Sequence, residues 1–195
     1  MSLILKRLKD RYGNDIEQQI QLFDIPKDME SATALAHKKD DRQRKEFEKW
    51  AILTYTDNHA KINEKKGSDK GIDGVAYIVG GSALFSVKSG SVSVKDIRDL
   101  WGVMEREKAV AGVLLTLKSP TKPMMQEAAA SGTIEDIPGL RLPKKIQKLQ
   151  IVTIQELLDG AGMNLPLADA VVKSAQRHKA KNKNRNIEFE DDETP

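Results

Sequence analysis

Gly71-Ile72-Asp73-Gly74-Val75-Ala76-Tyr77-Ile78-Val79-Gly80-Gly81-Ser82-Ala83-Leu84-Phe85-Ser86-Val87-Lys88 carries two short apolar runs parted by paired glycines, the pattern of a β-hairpin. With Gly80 and Gly81 as the two central residues of a primed turn, Val79 pairs with Ser82. Counting outward then sets Asp73 directly across from Lys88. Side chains alternate faces along a strand, so Asp73, Val75, Tyr77, Leu84, Ser86 and Lys88 share one face. The carboxylate and the ammonium are expected to lie roughly 5 Å apart at Cβ.

That pairing has chemical meaning. A hard divalent cation such as Mg2+ takes oxygen ligands and keeps several waters, so a strand carboxylate and a backbone carbonyl can hold it against a phosphate. An adjacent lysine can orient the attacking water and stabilise charge on the phosphorane oxygens. Asp73 and Lys88 supply these two groups for a metal-dependent phosphodiesterase. The plain alternative is a surface ion pair across a hairpin, which contributes little. On the two residues alone, the ion pair is the ordinary reading.

At 195 residues with 39% hydrophobic content, the chain can bury one sizeable core and still carry appendages. It has no cysteine, which excludes disulfides and thiolate metal sites and is compatible with a reducing cytoplasm. His37, His59 and His178 are too dispersed for a ligand cluster. No apolar run approaches the ~20 residues of a membrane span. The net charge of +3 is unevenly spread, because acidic residues concentrate in the last eight positions and leave a more basic body.

Leu3, Ile4, Leu8 and Tyr12 recur at helical spacing, and the stretch 16–23 continues as helix or strand. Asp28 is a fitting N-cap for a helix over 29–39, and a longer helix over 42–55 carries Phe47, Trp50, Ala51 and Thr54 on one stripe. Loop signals fill 57–70 ahead of the hairpin. Ser93 and Asp96 form a capping box opening a helix whose Ile97, Leu100, Trp101 and Met104 face inward. The apolar run 109–117 reads as a buried strand, 124–131 as a short helix, 149–154 as a strand, and Thr153 with Glu156 as the cap of a last helical turn. A strand, a helix and a buried strand in succession imply a parallel crossover from the Lys88 strand, hence an α/β sandwich around a mixed sheet. A terminal helix is expected over 164–180, followed by a charged, disordered tail.

In Lys66 to Gly74, Val87-Lys88-Ser89-Gly90, Asp96-Ile97-Arg98-Asp99-Leu100, Thr121-Lys122-Pro123-Met124 and 150–158, the chain resembles the Mrr-like branch of the PD-(D/E)XK restriction endonucleases. It is similar in particular to the nuclease domains found C-terminal to site-specific DNA methyltransferases. The resemblance covers residues 1–160. It implies a PD-(D/E)XK sandwich in which Asp73, Glu48 and the backbone of Val87 hold Mg2+ or Mn2+, with Lys88 as the catalytic lysine. Arg98, Arg106 and Lys122 become phosphate contacts. From the residues themselves, Lys65, Lys66 and Lys70, interspersed with glycines ahead of the Asp73 strand, read as a DNA-facing loop, with a merely solvated loop as the alternative. Without the resemblance, Glu48 reads as a solvated helix carboxylate.

Three departures stand out. Ser86 occupies the position where relatives carry Gln or Glu, and a serine is a short, neutral and poor direct metal ligand. Trp101 stands where relatives commonly have arginine. No two prolines are adjacent, so the Asp-Pro-Pro-Tyr or Asn-Pro-Pro-Tyr motif of a methyltransferase is missing.

The expected organisation is an N-terminal helical segment at 1–39, a nuclease-like core at 40–160 and a C-terminal helix with its tail at 161–195. The expected function is a Mg2+-dependent DNA endonuclease of a restriction-modification system. The second reading is a weakened nuclease-fold module that binds DNA or a methyltransferase, as Ser86 would permit. Expected partners are double-stranded DNA, a DNA methyltransferase and a second copy in a homodimer, in the cytoplasm and away from membranes.

Overall fold

The computed structural model describes residues 2–13, 15, 25–63, 71–134 and 145–168. In chain order these form α1 (Ser2–Tyr12), α2 (Met29–Ala36), α3 (Asp41–Tyr55), β1 (Ala60–Ile62), β2 (Gly74–Ile78), β3 (Gly81–Lys88) and α4 (Val94–Glu107). They continue with β4 (Ala111–Thr116), α5 (Lys122–Ala130), β5 (Thr133–Ile134), β6 (Ile146–Gln147), β7 (Leu149–Thr153) and α6 (Ile154–Leu158). Five strands make one mixed sheet in the order β1-β2-β3-β4-β7, and β5 pairs with β6 in a separate ribbon. β1 through β3 are antiparallel neighbours, whereas β3, β4 and β7 run parallel. This is the α/β sandwich with a mixed sheet that the crossover implied.

The caps explain where helices begin. Asp28 accepts the Ser31 amide at 2.8 Å ahead of α2, the Asp96 carboxylate accepts the Ser93 amide at 2.8 Å ahead of α4, and Thr153 and Glu156 cap α6 reciprocally. Past the cap of α6 the chain returns to the sheet edge, where Leu167 bridges Ile78 and the Val79 amide donates to the Pro166 carbonyl at 2.8 Å. Residues 164–168 are therefore not the start of a helix. The rest of that expected helix, the tail and the segment 16–23 lie outside the described residues.

The hairpin forms, but its register differs by two residues from the counted one. Ile78 pairs with Gly81, Tyr77 with Ser82 and Gly74 with Phe85, so Val79 and Gly80 are the central residues of the turn. Gly80 sits at φ 90 while Val79 keeps a negative φ, the pattern of a type II turn and not of a primed one. Extending that register places Ser86, not Lys88, across from Asp73. A slip of two preserves the faces, so Leu84 still shares a side with Val75. β1, three residues within a stretch that reads as loop, adds an edge strand by pairing Ala60 with Ala76.

Both faces of the sheet are covered. Phe47, Ala51, Ile52 and Tyr55 of α3 pack on one face against Ala76, Ile78, Phe85, Val87, Val113 and Leu115. Ile97, Leu100 and Met104 of α4, with Met124 of α5, pack on the other against Leu84, Leu114 and Leu149. Two covered faces explain why β4 is apolar up to its last residue, Thr116, and buried at every position. Gly112 of β4 lies beneath α4, and a Cβ there would overlap the Met104 thioether and press on Leu100 Cγ at 3.4 Å. Gly102, on the exposed side of α4, faces open space. Gly112→Val should therefore cost about 1–3 kcal/mol, the usual penalty of overpacking a core. Gly102→Ala should gain about 0.5–1 kcal/mol by removing a mid-helix glycine. Chemical denaturation of the two variants checks both signs.

Candidate active site

The antiparallel ladder between β2 and β3 ends at Gly74 and Phe85, just before Asp73. The Asp73 amide still donates to the Phe85 carbonyl at 2.8 Å, but the next amide on β3, that of Val87, donates to the Asp73 carboxylate Oδ2 at 2.8 Å. A side chain thus takes the place of a ladder carbonyl and fixes the orientation of the carboxylate. The Val87 carbonyl projects from the same edge of an extended strand as its amide, beyond the last β2 pair. The Asn63 amide donates to the Asp73 carbonyl at 2.9 Å, tying the same point to the end of β1.

α3 delivers the second carboxylate. Lys45 and Glu48 are three residues apart and share a helix face turned toward the start of β2. Lys45 Nζ lies 2.7 Å from Glu48 Oε2 and 3.6 Å from Asp73 Oδ1. Glu48 Oε2 is closed off from solvent, and the Lys45 ammonium at 2.7 Å is the cation it faces, at hydrogen-bond distance. Burial raises the Asp73 carboxyl above its ordinary value of 3.8, and the neighbouring Glu48 raises it further. The Val87 amide and the charges of Lys45 and Lys88 pull the other way without cancelling this. Burial works against the charge of Lys45, but Glu48 and then Asp73 outweigh it and hold its pKa above the usual value.

Ser86 and Lys88 lie on the other side of this junction. They line a cleft of about 520 Å³ between the end of β3 and α4, together with Asp96, Asp99, Arg98 and Arg106. Ser86 is buried at 4% exposure. Lys88 is half-buried at the C-terminal end of β3, and its charge is felt by Asp73. The parallel strands β3, β4 and β7 all end at this edge, where crevices beyond the carboxyl ends of strands are the usual ligand sites.

The expected residues therefore form two groups, Asp73 with Glu48 and Ser86 with Lys88, joined through the Val87 amide. Arg98 is bound to Glu127 by hydrogen bonds of 2.7 and 3.2 Å, and Arg106 donates to Glu107 at 3.1 Å. Lys122 is the first residue of α5, reached through the loop that follows β4. Lys65, Lys66 and Lys70 lie outside the described residues. Trp101 packs partly against the α4 core and donates to Glu105 at 3.3 Å. Lys45 is the residue that sequence reasoning missed, although its three-residue spacing from Glu48 was the signal available.

Among the described residues, no three His, Cys, Asp or Glu side chains converge as a metal cluster. What converges is a pair of carboxylates and a strand backbone. These are hard oxygen donors, and the two carboxylates already converge on one cationic group away from solvent, so the donor set suits a small divalent cation. No helix among the described residues is long and apolar enough to cross a membrane.

No curated protein matches the chain. A family model described as a restriction endonuclease, Mrr_cat, matches residues 40–159. The match runs from the N-cap of α3 to the C-cap of α6, contains Glu48, Asp73, Ser86 and Lys88, and spans more than half of the sequence. The chain accordingly belongs to the Mrr-like restriction endonuclease family.

Proposed function

We propose that the protein is a Mg2+-dependent DNA endonuclease that hydrolyses phosphodiesters as the cutting component of a restriction-modification system. The convergence of Asp73 and Glu48 on one cationic group carries this reading. Asp73, Glu48 and the Val87 carbonyl would hold the ion, with Mn2+ as a substitute. When bound, it would supply Lewis-acid stabilisation of the charge developing on the phosphate.

The chain's own groups do the rest. Asp73 is held in place by the Val87 amide, so its carboxylate needs no reorganisation during the reaction. Lys88, from the cleft side, donates hydrogen bonds to a non-bridging phosphate oxygen and orients the attacking water for in-line displacement. Arg106 and Lys122 position flanking phosphates, and Arg98 joins them on exchanging Glu127 for a phosphate. We assign Lys65, Lys66 and Lys70 to DNA binding on their sequence alone. One site per chain cuts one strand, so double-strand cleavage calls for a homodimer or two successive nicks. We place the protein in the cytoplasm beside a DNA methyltransferase that protects the host sequence. The organisation we propose keeps 1–39 as an N-terminal helical segment whose α2 joins the core through Ala32 and Ala36, 40–160 as the nuclease core and 161–195 as a C-terminal segment that begins against β2.

One observation favours a second reading, a module that binds DNA or a methyltransferase without cutting. Ser86 is buried across from Asp73, where a longer oxygen ligand would reach an ion directly.

A plasmid-nicking assay separates the two. With Mg2+, Asp73→Asn and Lys88→Ala should each lose at least a hundredfold in rate. Ser86→Gln should raise the rate about tenfold, which needs only ~1.4 kcal/mol of transition-state stabilisation. No cleavage by wild type or Ser86→Gln with either ion, while DNA binding persists, would leave the binding module standing.

The raised pKa of Asp73 gives a second check, on stability. The folded protein binds this proton more tightly than the unfolded chain does. The contribution is therefore complete below the ordinary carboxylate value of 3.8 and is lost as pH rises through the folded value. Asp73→Asn keeps an oxygen for the Val87 amide and removes the buried charge. Its melting temperature should exceed that of wild type at neutral pH without metal, and the difference should vanish below about pH 4.

A further inference from the structure

Lys45 has no part in the hydrolysis as outlined, yet its ammonium touches both carboxylates of the ion site, at 2.7 Å from Glu48 and 3.6 Å from Asp73. The contact is sheltered. The Lys45, Glu48 and Asp73 side chains are 27%, 27% and 18% exposed. On the same helix, Arg44 is paired with Asp41 and Lys49 with Glu46, whereas Lys45 reaches across to the sheet.

An ammonium and a divalent ion compete for these oxygens, because two cations packed against the same pair of carboxylates repel each other. The ammonium stands at hydrogen-bond distance, whereas Mg2+ requires oxygens at about 2.0–2.1 Å and carries twice the charge. The carboxylates must therefore close further on the ion as the ammonium leaves. The lysine stem is long and flexible, so the charged end can withdraw without moving α3.

We propose that Lys45 is a positioning residue that holds Asp73 and Glu48 together until a divalent cation displaces it, so that its ammonium sets how much free metal the enzyme requires. This rests on the metal site of the endonuclease reading. Removing Lys45 takes away both a competitor and a support. Competition is the larger effect, because the Val87 amide still orients Asp73 when Lys45 is gone.

The test is isothermal titration of Mn2+ alone, without DNA, into the full chain as wild type, Lys45→Met, Lys45→Arg and Asp73→Asn. Lys45→Met should bind Mn2+ at least tenfold more tightly than wild type, Lys45→Arg should stay within about threefold of it, and Asp73→Asn should lose the site. Equal or weaker binding by Lys45→Met, with Asp73→Asn still losing the site, overturns the role of Lys45 and leaves the endonuclease reading intact. Undiminished binding by Asp73→Asn overturns the metal site itself, and this inference with it. A measurement on wild type guards against a misfolded variant. Acetylation of the Lys45 amine, read by mass spectrometry, should rise severalfold when Mn2+ saturates the protein, and an unchanged rate contradicts displacement.

Discussion

The amide of Val87 needs an acceptor at the point where β2 stops running alongside β3, and the Asp73 carboxylate supplies it at 2.8 Å. An unpaired buried amide would cost about 1–3 kcal/mol, so the bond is one the fold cannot readily forgo. It also aims a carboxylate at the junction between two layers. On one side stands α3 with Lys45 and Glu48, and on the other the cleft that Ser86 and Lys88 line beneath α4. Asp73 belongs to both sides because it lies at the end of the ladder, where its side chain is free to turn toward the neighbouring strand's edge.

Such a position exposes a conflict that structural stability alone would remove. Asp73 is desolvated and faces a second carboxylate, and its pKa is raised as a result. A group that is costly to keep charged in the folded state is characteristic of sites retained for chemistry. Here the conflict is relieved by Lys45, and in the endonuclease reading it would be relieved more fully by a divalent ion.

Much of this was legible in the sequence, for identifiable reasons. Capping at Asp28, Ser93 and Thr153 depends on neighbours within four residues, and all three caps form. The run 109–117 was readable as a strand covered on both faces because it contains no polar alternation. Face sharing in the hairpin also survived, since strand periodicity is local. The register did not, because paired glycines offer more than one two-residue turn, and the choice of Val79-Gly80 rests on pairing along the whole hairpin. β1 was invisible because three residues carry too little pattern, and they become a strand only through their partner. Lys45 was hidden in a run of charged residues that reads as a solvated face, and only the placement of α3 over the start of β2 turns it inward. The family resemblance, in contrast, reached Glu48, whose own neighbourhood gave no such hint.

The central claim is that Asp73 and Glu48 form one cation site at the open end of the hairpin. Anomalous scattering from crystals of the protein grown with Mn2+ tests it most directly. The account predicts a peak within coordination distance of one oxygen from each carboxylate and of the Val87 carbonyl, with the Lys45 ammonium moved away. A Mn2+ peak elsewhere in the chain, with Lys45 still bridging Asp73 and Glu48, would contradict it.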